Sequence, residues 1–469
     1  MNGYVIAGVL VAVIVLLLAT NKKLVETLKN MYKIEELRKR VLYTVGLLLV
    51  YRLGCFVVIP GINPNALGAG SALANQMDSN ALLGLLDVFS GGAFANAAIL
   101  ALGVMPYITA SIIIQLLGIM VPAVQKLQKE GESGRRKMNQ WTRLLTIGVL
   151  CIQGPAYVAN LHMQMPQAFV YGGTFAFFAY ATVILIAGTM FTMWLGERIT
   201  DKGIGNGVSM IIMIGIVARL PQALLAEFSA RVSTSTGSLI MFVVELALLF
   251  LVFLVSIAVI QAVRKVPVQY AKRMYAGQQV GGSRQYIPLK VFAANVMPII
   301  FAQAIMFIPV TLLQMFSGGE NPSAALIALS DHTGLWYNLL FATLIIVFTY
   351  LYTAITMNPV QMAEDMKRNN GFIPGVRPGH DTAEYLDQIM SRLVFPGSIF
   401  LALIACMPAL AGLLNVSQEF AQFFGGTSLL ILVGVVLDTL QQIESHLLMR
   451  HYDGLLSSGR IHGRNGMAQ

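Results

Sequence analysis

The sequence predicts an all-α polytopic membrane protein with ten membrane-spanning helices. Three observations support this fold class: a composition that suits lipid, ten long apolar segments, and basic residues confined to alternate gaps between them. Of the 469 residues, 56% are hydrophobic and 11% are charged, and the mean hydropathy is +0.70. A soluble globular protein has about twice this share of charged residues, so that class is excluded.

Runs of about 20 mainly apolar residues are long enough to cross a bilayer as helices. Ten such segments follow one another, at residues 41–60, 95–122, 144–160, 174–195, 204–220, 238–263, 291–316, 336–357, 393–415 and 424–446.

The basic residues give the orientation of these spans. All but three of the 31 Lys and Arg residues fall in alternate segments, namely 21–40, 123–143, 196–203, 264–290, 358–392 and the tail 447–469. The exceptions are Arg52 in the first span and Arg219 and Arg231 towards the other side. Since Lys and Arg are retained on the cytoplasmic side, both ends of the ten-helix body are predicted to be cytoplasmic. The net charge of +9 is spread over loops beside a membrane, where anionic lipid head groups already favour it, so the charge by itself does not indicate a nucleic-acid ligand.

The N-terminal region is less defined by its sequence. Residues 1–20 contain an unbroken apolar stretch, Val5 to Ala19, without the preceding positive charges of a secretory signal peptide. An extra spanning helix and an extension without a functional part are equally compatible with it. Segment 21–40 is predicted to be an amphipathic helix on the cytoplasmic membrane surface, with an apolar stripe at helical spacing formed by Leu24, Leu28, Met31 and Ile34.

The spans carry few groups that could do chemistry. Their clear ionisable residues are Arg52, Glu245 and Asp438, for which structural roles are the simpler interpretation. The sequence contains neither a phosphate-binding G-x-x-x-x-G-K-[ST] loop nor an H-E-x-x-H metal motif. We therefore predict no enzyme activity and no cofactor, and an energy source that belongs to a partner. A secondary transporter of a small solute remains the alternative.

Two basic segments carry features that a partner could bind. Residues 371–379 contain two Pro and three Gly, which predict a stiff hairpin with Arg377 at its tip. Segment 264–290 carries a basic cluster that could dock an acidic protein surface or RNA phosphates, formed by Arg264, Lys265, Lys272 and Arg273. Taken singly, each feature is more typical of an ordinary solvated loop on the inner side of a membrane.

Eight motifs in a fixed order identify a family resemblance. They are Leu-Asp-Val-Phe-Ser-Gly-Gly-Ala at 86–93, Met-Pro-Tyr-Ile-Thr-Ala-Ser-Ile-Ile-Ile-Gln-Leu-Leu at 105–117, Glu-Gly-Glu-Ser-Gly-Arg-Arg-Lys at 130–137, Met-Trp-Leu-Gly-Glu at 193–197, Gly-Ile-Gly-Asn-Gly at 203–207, Tyr-Ala-Lys-Arg at 270–273, the hairpin at 371–379, and Gly-Gly-Thr-Ser-Leu-Leu-Ile at 425–431. Together they closely resemble the SecY family, whose members form the channel of the bacterial Sec protein translocase. The resemblance covers about residues 22–450 and leaves 1–20 outside.

The resemblance implies a clamshell of two inverted five-helix halves with a polypeptide pathway between them. The N-terminal half begins at residue 41 and the C-terminal half covers 238–446. Spans two and three would open sideways against spans seven and eight, at a lateral gate that includes Pro106, Gln153, Asn295 and Pro298. Pro106 and Pro298 are predicted to bend their spans by removing backbone hydrogen bonds.

The pore itself is also predicted from the resemblance. Its constriction would be a flexible aliphatic ring formed by Val104, Ile108, Val208, Ile212, Ile300 and Ile431. Without the resemblance these residues would count as ordinary core or lipid-facing positions. Residues 82–94 look like the plug that blocks the resting pore from outside, with its centre at Leu86, Asp87, Val88, Phe89, Ser90, Gly91 and Gly92, where the two glycines would form a hinge.

The partners follow from the same resemblance. SecE would clamp the two halves, SecG would be a third subunit, and the SecA ATPase or a ribosome would dock around Lys272, Arg273 and Arg377. The substrates would be polypeptides bearing signal sequences, which enter the gate because each buried CH2 contributes about 0.8 kcal/mol. The implied location is the bacterial cytoplasmic (inner) membrane.

Overall fold

The computed structural model describes most of the chain apart from its two termini and several connecting segments. The described residues are 34–64, 87–164, 166–170, 175–233, 239–270, 273–275, 278–280, 284–292, 297–316, 334–413 and 416–457. The predictions for residues 1–20 and for most of 21–40 fall outside them.

Long helices make up most of the described chain. The helices before the central sheet are α1 (Glu35–Gly54), α2 (Met105–Met120), α3 (Pro122–Lys129), α4 (Glu132–Gln164), α5 (Phe175–Lys202), α6 (Gly207–Ser233) and α7 (Leu239–Ile260). Those after it are α8 (Met297–Phe316), α9 (Leu335–Thr356), α10 (Pro359–Arg368), α11 (His380–Leu413), α12 (Gln418–Ala421) and α13 (Gly426–Ser457).

Each of the ten predicted spans lies on one of these helices. Seven helices, α4 to α7, α9, α11 and α13, contain segments long and apolar enough to cross a membrane. The apolar helices α2 and α8 carry the second and seventh predicted spans. The first predicted span, 41–60, lies on α1, which begins with Glu35 and Glu36 and ends at Gly54, so its apolar part is short. An all-α polytopic membrane fold is thus confirmed.

The prediction for the second span is wrong over its first ten residues. Residues 95–104 form turns, and the helix begins only at Met105. Part of this segment pairs its backbone with the turn after α1: Ile59 N–H donates to Ala97 O at 3.0 Å, and Ile99 N–H donates to Val57 O at 2.8 Å. Such pairing satisfies backbone groups that a helix would otherwise satisfy internally.

Pro106 does not bend its helix as predicted. Pro106 is the second residue of α2, and Pro298 is the second residue of α8. In the first turn of a helix the backbone N–H has no intrahelical acceptor, so a proline there removes no hydrogen bond. Pro106 therefore helps to begin α2 instead of kinking it. The residues just before Met297 lie outside the described part of the chain, so the bend at Pro298 stays a prediction.

The predicted cytoplasmic loop 264–290 contains antiparallel strands. They are β1 (Val263–Tyr270), β2 (Arg273–Tyr275), β3 (Gln278–Val280) and β4 (Arg284–Lys290). A fifth strand, β5 (Gly371–Phe372), comes from the segment after α10. β1 pairs with β4 on one side and with β5 on the other, while β2 pairs with β3.

The sheet has one face packed on a small core. Val266 and Val268 of β1 are buried, whereas Pro267 between them is exposed, as expected for a strand with one covered face. The core consists of Val266, Val268, Leu289, Met366, Ile373, Leu386, Ile389 and Met390, from the sheet, α10, the hairpin and α11. We call the end of the helix bundle that carries this sheet the sheet end.

The main core joins helices from both predicted halves. It includes Leu48 of α1, Ile112 of α2, Ile211 of α6, Ile299 of α8, Ile345 of α9, Leu401 of α11 and Leu430 of α13. By contrast, only 11% of the spanning part of α7 is buried within the chain, so most of its surface is available to lipid or a partner. The two halves therefore share one apolar interior.

Leu386→Ala is expected to destabilise the sheet end. Leu386 is fully buried in the small core, and truncating such a residue costs about 2–5 kcal/mol. Thermal melting in detergent and limited proteolysis of 264–290 measure the effect. The matched control is Val360→Ala on α10, where the side chain is 58% exposed and the change should stay within about 0.5 kcal/mol. Equal melting temperatures for the two variants would contradict the assigned core.

Candidate pore, plug and docking face

The six predicted ring residues all belong to the main core or pack directly on it. Val104, Ile108, Ile212 and Ile431 are buried members, and Val208 and Ile300 are partly buried neighbours. They come from the start of α2, from α6, from α8 and from α13, so four helices of both predicted halves bring them into one cluster. Their role as a constriction stays a prediction.

The predicted plug is buried against the helices. Residues 87–90 form a helical turn that continues into tight turns, and Asp87, Val88, Phe89 and Ser90 are each less than 9% exposed. We call residues 87–92 the plug segment. Leu86 and the rest of 82–86 lie outside the described residues.

A carboxylate at the start of the plug segment has two partners. Asp87 Oδ1 accepts a hydrogen bond from the backbone N–H of Ala95 at 2.8 Å. Asp87 Oδ2 forms an ion pair with the guanidinium of Arg219 on α6. Burying a charge in an apolar interior is costly unless it is paired, and these contacts supply the pairing.

Helix α1 holds the other end of the plug segment through its last turn. The guanidinium of Arg52 donates to Gly91 O, and the hydroxyl of Tyr51 donates to Ser90 O at 3.2 Å. Cys55 lies one turn further on, with its Sγ 3.6 Å from Ser90 O. Arg52 thus has the structural role predicted for it, as a donor to a backbone carbonyl.

Two glycines allow this close fit. Gly215 of α6 faces the plug segment so closely that a Cβ atom there would lie 2.9 Å from Phe89 O and 3.2 Å from Val88 O. Gly92 has φ of +92°, a conformation that side chains other than glycine rarely adopt. The backbone conformation at position 92 therefore favours glycine, the second glycine of the predicted hinge. Hinge motion itself stays a prediction.

The predicted gate residues are only partly brought together. Pro106, in the first turn of α2, and Pro298, on α8, are both buried, and these two helices contact each other. Gln153 is half-buried on α4, which packs on α2. Asn295 lies outside the described residues. The lateral gate stays a prediction.

The docking residues lie at the sheet end. Arg264 and Lys265 are exposed on β1. Because β1 also pairs with β5, the hairpin that follows β5 is attached to the same sheet, and Arg377 in it is exposed. The hydroxyl of Thr382 donates to Arg377 O at 2.7 Å, which fixes the backbone below that side chain. Arg273 begins β2, and Lys272 lies outside the described residues.

A second buried charge network lies near the C-terminal end of α6. Arg231 is 2.9 Å from Glu227 Oε1 and 2.5 Å from Glu245 Oε1 on α7. The other oxygen of Glu227 accepts from the backbone N–H of Ser417 at 3.0 Å, just before α12. Helices of the two predicted halves are thereby joined, and Glu245 has the structural partner expected of it. Asp438, the third ionisable residue of the spans, has Lys290 as a charged neighbour.

Three contacts of the plug segment were not predicted from the sequence: Arg219 as a partner of Asp87, Tyr51 as a donor, and Gly215 as a close backbone neighbour. A signal for the arginines was present: apart from Arg52, the only basic residues outside the segments rich in positive charge are Arg219, at the end of the fifth predicted span, and Arg231 just after it. Both carry ion pairs in the structure.

For metal binding, no group of three or more His, Cys, Asp or Glu suitable for a metal ion exists within the described part of the chain.

The overall shape is that of known membrane channels for polypeptides. A solved structure of a protein conducting channel matches with a TM-score of 0.62 at 18% sequence identity, covering 90% of this chain and 94% of that one. Sec61 in the canine ribosome-channel complex from the endoplasmic reticulum matches with a TM-score of 0.56 at 17% identity, over 90% and 94% of the two chains. At such identities the likeness concerns the fold alone.

The sequence then specifies the family. The SecY family model matches residues 98–440. The protein translocase subunit SecY of Streptomyces scabiei is 43% identical over 440 residues, covering 91% of this chain and 98% of that protein. Those of Aquifex aeolicus and Chlamydia trachomatis serovar D are 41% and 37% identical over 91% and 93% of this chain. The chain therefore belongs to the SecY family, as its motifs predict.

Glu227→Ala is expected to destabilise the folded chain strongly. The carboxylate is almost fully buried, and its loss leaves Arg231 and the N–H of Ser417 without this acceptor. Removing one partner of a buried pair costs about 3–5 kcal/mol. Thermal melting of the purified protein in detergent gives the measurement.

The control for this prediction is Glu35→Ala, which removes an exposed ion pair with Lys39 on α1. Exposed pairs of this kind contribute about 0–1 kcal/mol at most. If Glu227→Ala melts within a degree or two of the control, the network does not stabilise the fold.

Proposed function

We propose that this chain forms the protein-conducting channel of a Sec-type translocase in a cytoplasmic membrane. It is not an enzyme. The observation that carries the proposal is membership of the SecY family over nearly the whole chain, together with the channel fold. The transporter alternative is not supported by these relatives, and two of its three candidate ionisable residues, Arg52 and Glu245, have structural partners.

The channel passes unfolded secretory polypeptides between the two helical halves. Its narrowest part is the aliphatic ring of Val104, Ile108, Val208, Ile212, Ile300 and Ile431. Aliphatic side chains exclude water when the channel is empty and rearrange around a passing chain, since they make no directional bonds. The clustering of all six in one apolar core supports this assignment.

The resting channel is closed at its outer side by the plug segment. Its burial between α1 and α6, with donors from both helices, supports this role. A sufficiently hydrophobic signal sequence displaces it and enters the lateral gate at Pro106, Gln153, Asn295 and Pro298. Each CH2 transferred to lipid favours this entry by about 0.8 kcal/mol, so a few leucines decide between lateral release and passage.

The driving force comes from partners at the sheet end. A SecA-type ATPase or a ribosome docks on Arg264, Lys265, Lys272, Arg273 and Arg377, with SecE holding the halves together and SecG as a further subunit. Arg264 and Lys265 are exposed on β1, and Arg377 is exposed in the segment after β5, which pairs with β1; this proximity of three cations supports such a docking face. A channel of this fold is known in a ribosome-bound complex. Both termini of the ten-helix body lie on this cytoplasmic side, where anionic lipids favour the basic segments.

Reconstitution tests the proposed function directly. Proteoliposomes that contain the chain with its SecE-like and SecG-like subunits receive a secretory precursor, a SecA-type motor and ATP. The precursor is expected to become protected from added protease, and protection is expected to disappear without ATP. Protection that stays at background with ATP present would contradict the channel function.

Arg377→Glu is expected to lower motor-driven translocation by at least about tenfold, the effect of losing about 1.4 kcal/mol of binding or activation free energy. The reason is that an exposed cation becomes an anion on a rigid hairpin of the docking face. Protease protection measures translocation, and membrane assembly should be unchanged.

The matched control is Lys126→Glu, the same charge reversal at an exposed position on α3, away from the sheet. This variant should translocate within about twofold of the unchanged chain, as expected for a surface substitution away from the docking face. Equal losses in both variants, or loss of folded Arg377→Glu protein, would contradict a docking role for Arg377.

A further inference from the structure

One face of α6 carries two proposed ring residues and two residues that contact the plug segment, in a regular order. Val208, Ile212, Gly215 and Arg219 follow one another at intervals of four, three and four residues. Residues at these intervals project from the same side of a helix. The stripe therefore runs from two ring residues to the contact glycine and then to the arginine that pairs with Asp87.

The glycine brings two backbones into direct contact. Since a Cβ at position 215 would meet Phe89 O and Val88 O, no side chain separates α6 from the plug segment. This backbone contact does not require a particular side chain in the plug segment, and it does not explain why the plug segment carries a buried charge. The charge is supplied one turn further along, where Arg219 reaches Asp87.

The two charges differ in their access to water. The side chain of Asp87 is 8% exposed, whereas that of Arg219 is 24% exposed. While the plug segment is seated, the ion pair with Arg219 offsets the free-energy cost of burying the Asp87 carboxylate. Once the plug segment leaves, both groups reach the aqueous side, where hydration replaces the lost attraction. The attraction between Asp87 and Arg219 is consequently strong while the plug segment is seated. The free-energy cost of separating the two charges is small when the plug segment moves out into water.

The second arginine acts on a backbone carbonyl instead of a charge. Arg52 and Tyr51, both on α1, donate hydrogen bonds to Gly91 O and Ser90 O, respectively. They hold the end of the plug segment that includes Gly92. Those bonds do not depend on any side chain of the plug segment. Of these contacts, the Asp87–Arg219 pair is thus the one that a side-chain substitution within the plug segment can remove.

We propose that the Asp87–Arg219 ion pair is a specificity-determining latch, which holds the plug segment on α6 and sets how hydrophobic a signal sequence must be to open the channel. This inference rests on the proposed channel function. It predicts that neutralising either partner opens the idle channel and admits weaker signals, without new contacts to the substrate.

The test is a double-mutant cycle with Asp87→Asn, Arg219→Gln and the double variant. Asp87→Asn keeps an acceptor for the N–H of Ala95 while it removes the charge. The reconstituted complex is assayed for ion conductance without substrate and for translocation of a precursor whose signal sequence lacks several leucines. Each single variant is expected to raise both quantities about tenfold, which corresponds to about 1.4 kcal/mol.

The double variant decides whether the two residues act as a pair. If they do, its effect equals that of either single variant, because the second substitution has no remaining interaction to remove. Independent effects would multiply to about a hundredfold and would overturn the latch. Unchanged conductance and unchanged signal selectivity in folded single variants would overturn it as well.

The control is Arg143→Gln, which removes an ion pair with Glu197 between α4 and α5, away from the plug segment. It should leave both quantities unchanged. Thermal melting reports folding, and if Asp87→Asn does not fold, Arg219→Gln carries the test because it leaves the hydrogen bonds of the plug segment in place. Failure of the unmodified complex to translocate the intact precursor would count against the proposed function instead.

Discussion

The pairing of a few arginines inside an apolar protein is the constraint on which the rest of this structure depends. Arg52, Arg219 and Arg231 lie outside the basic segments, and each donates to a carboxylate or a carbonyl of another element. A cation in such surroundings is stable only where the protein supplies the acceptors that water would otherwise provide. Each arginine therefore fixes the position of a second element: the two ends of the plug segment, and the junction of α6 with α7.

These contacts require close backbone packing, which small residues provide. Gly215 lets the plug segment lie directly on α6, and Gly92 turns the chain where a side chain would be strained. The aliphatic core around the six proposed ring residues contributes apolar surface without directional bonds. A closed state held by a few polar contacts over an adaptable apolar core can open without the loss of a large interface.

Different parts of the structure were predictable to different degrees. Helices along the spans follow from the length and apolarity of each segment, because a membrane allows few other backbone arrangements. The start of α2 at Met105 was not predictable, since residues 95–104 are as apolar as a helix and are diverted by pairing with the turn after α1. The sheet was missed for another reason: the buried Val266 and Val268 were visible as an alternation, but the basic residues around them suggested a loop.

The sequence by itself determined the class and the family, because hydropathy, charge asymmetry and long ordered motifs are local properties of the chain. Only the tertiary structure decided which residues meet. Nothing in the spacing of Asp87 and Arg219, or of Glu227 and Ser417, indicates that they pair, since these contacts join segments more than 100 residues apart. Such pairs depend on how the helices pack, and packing is set by the whole apolar interior together.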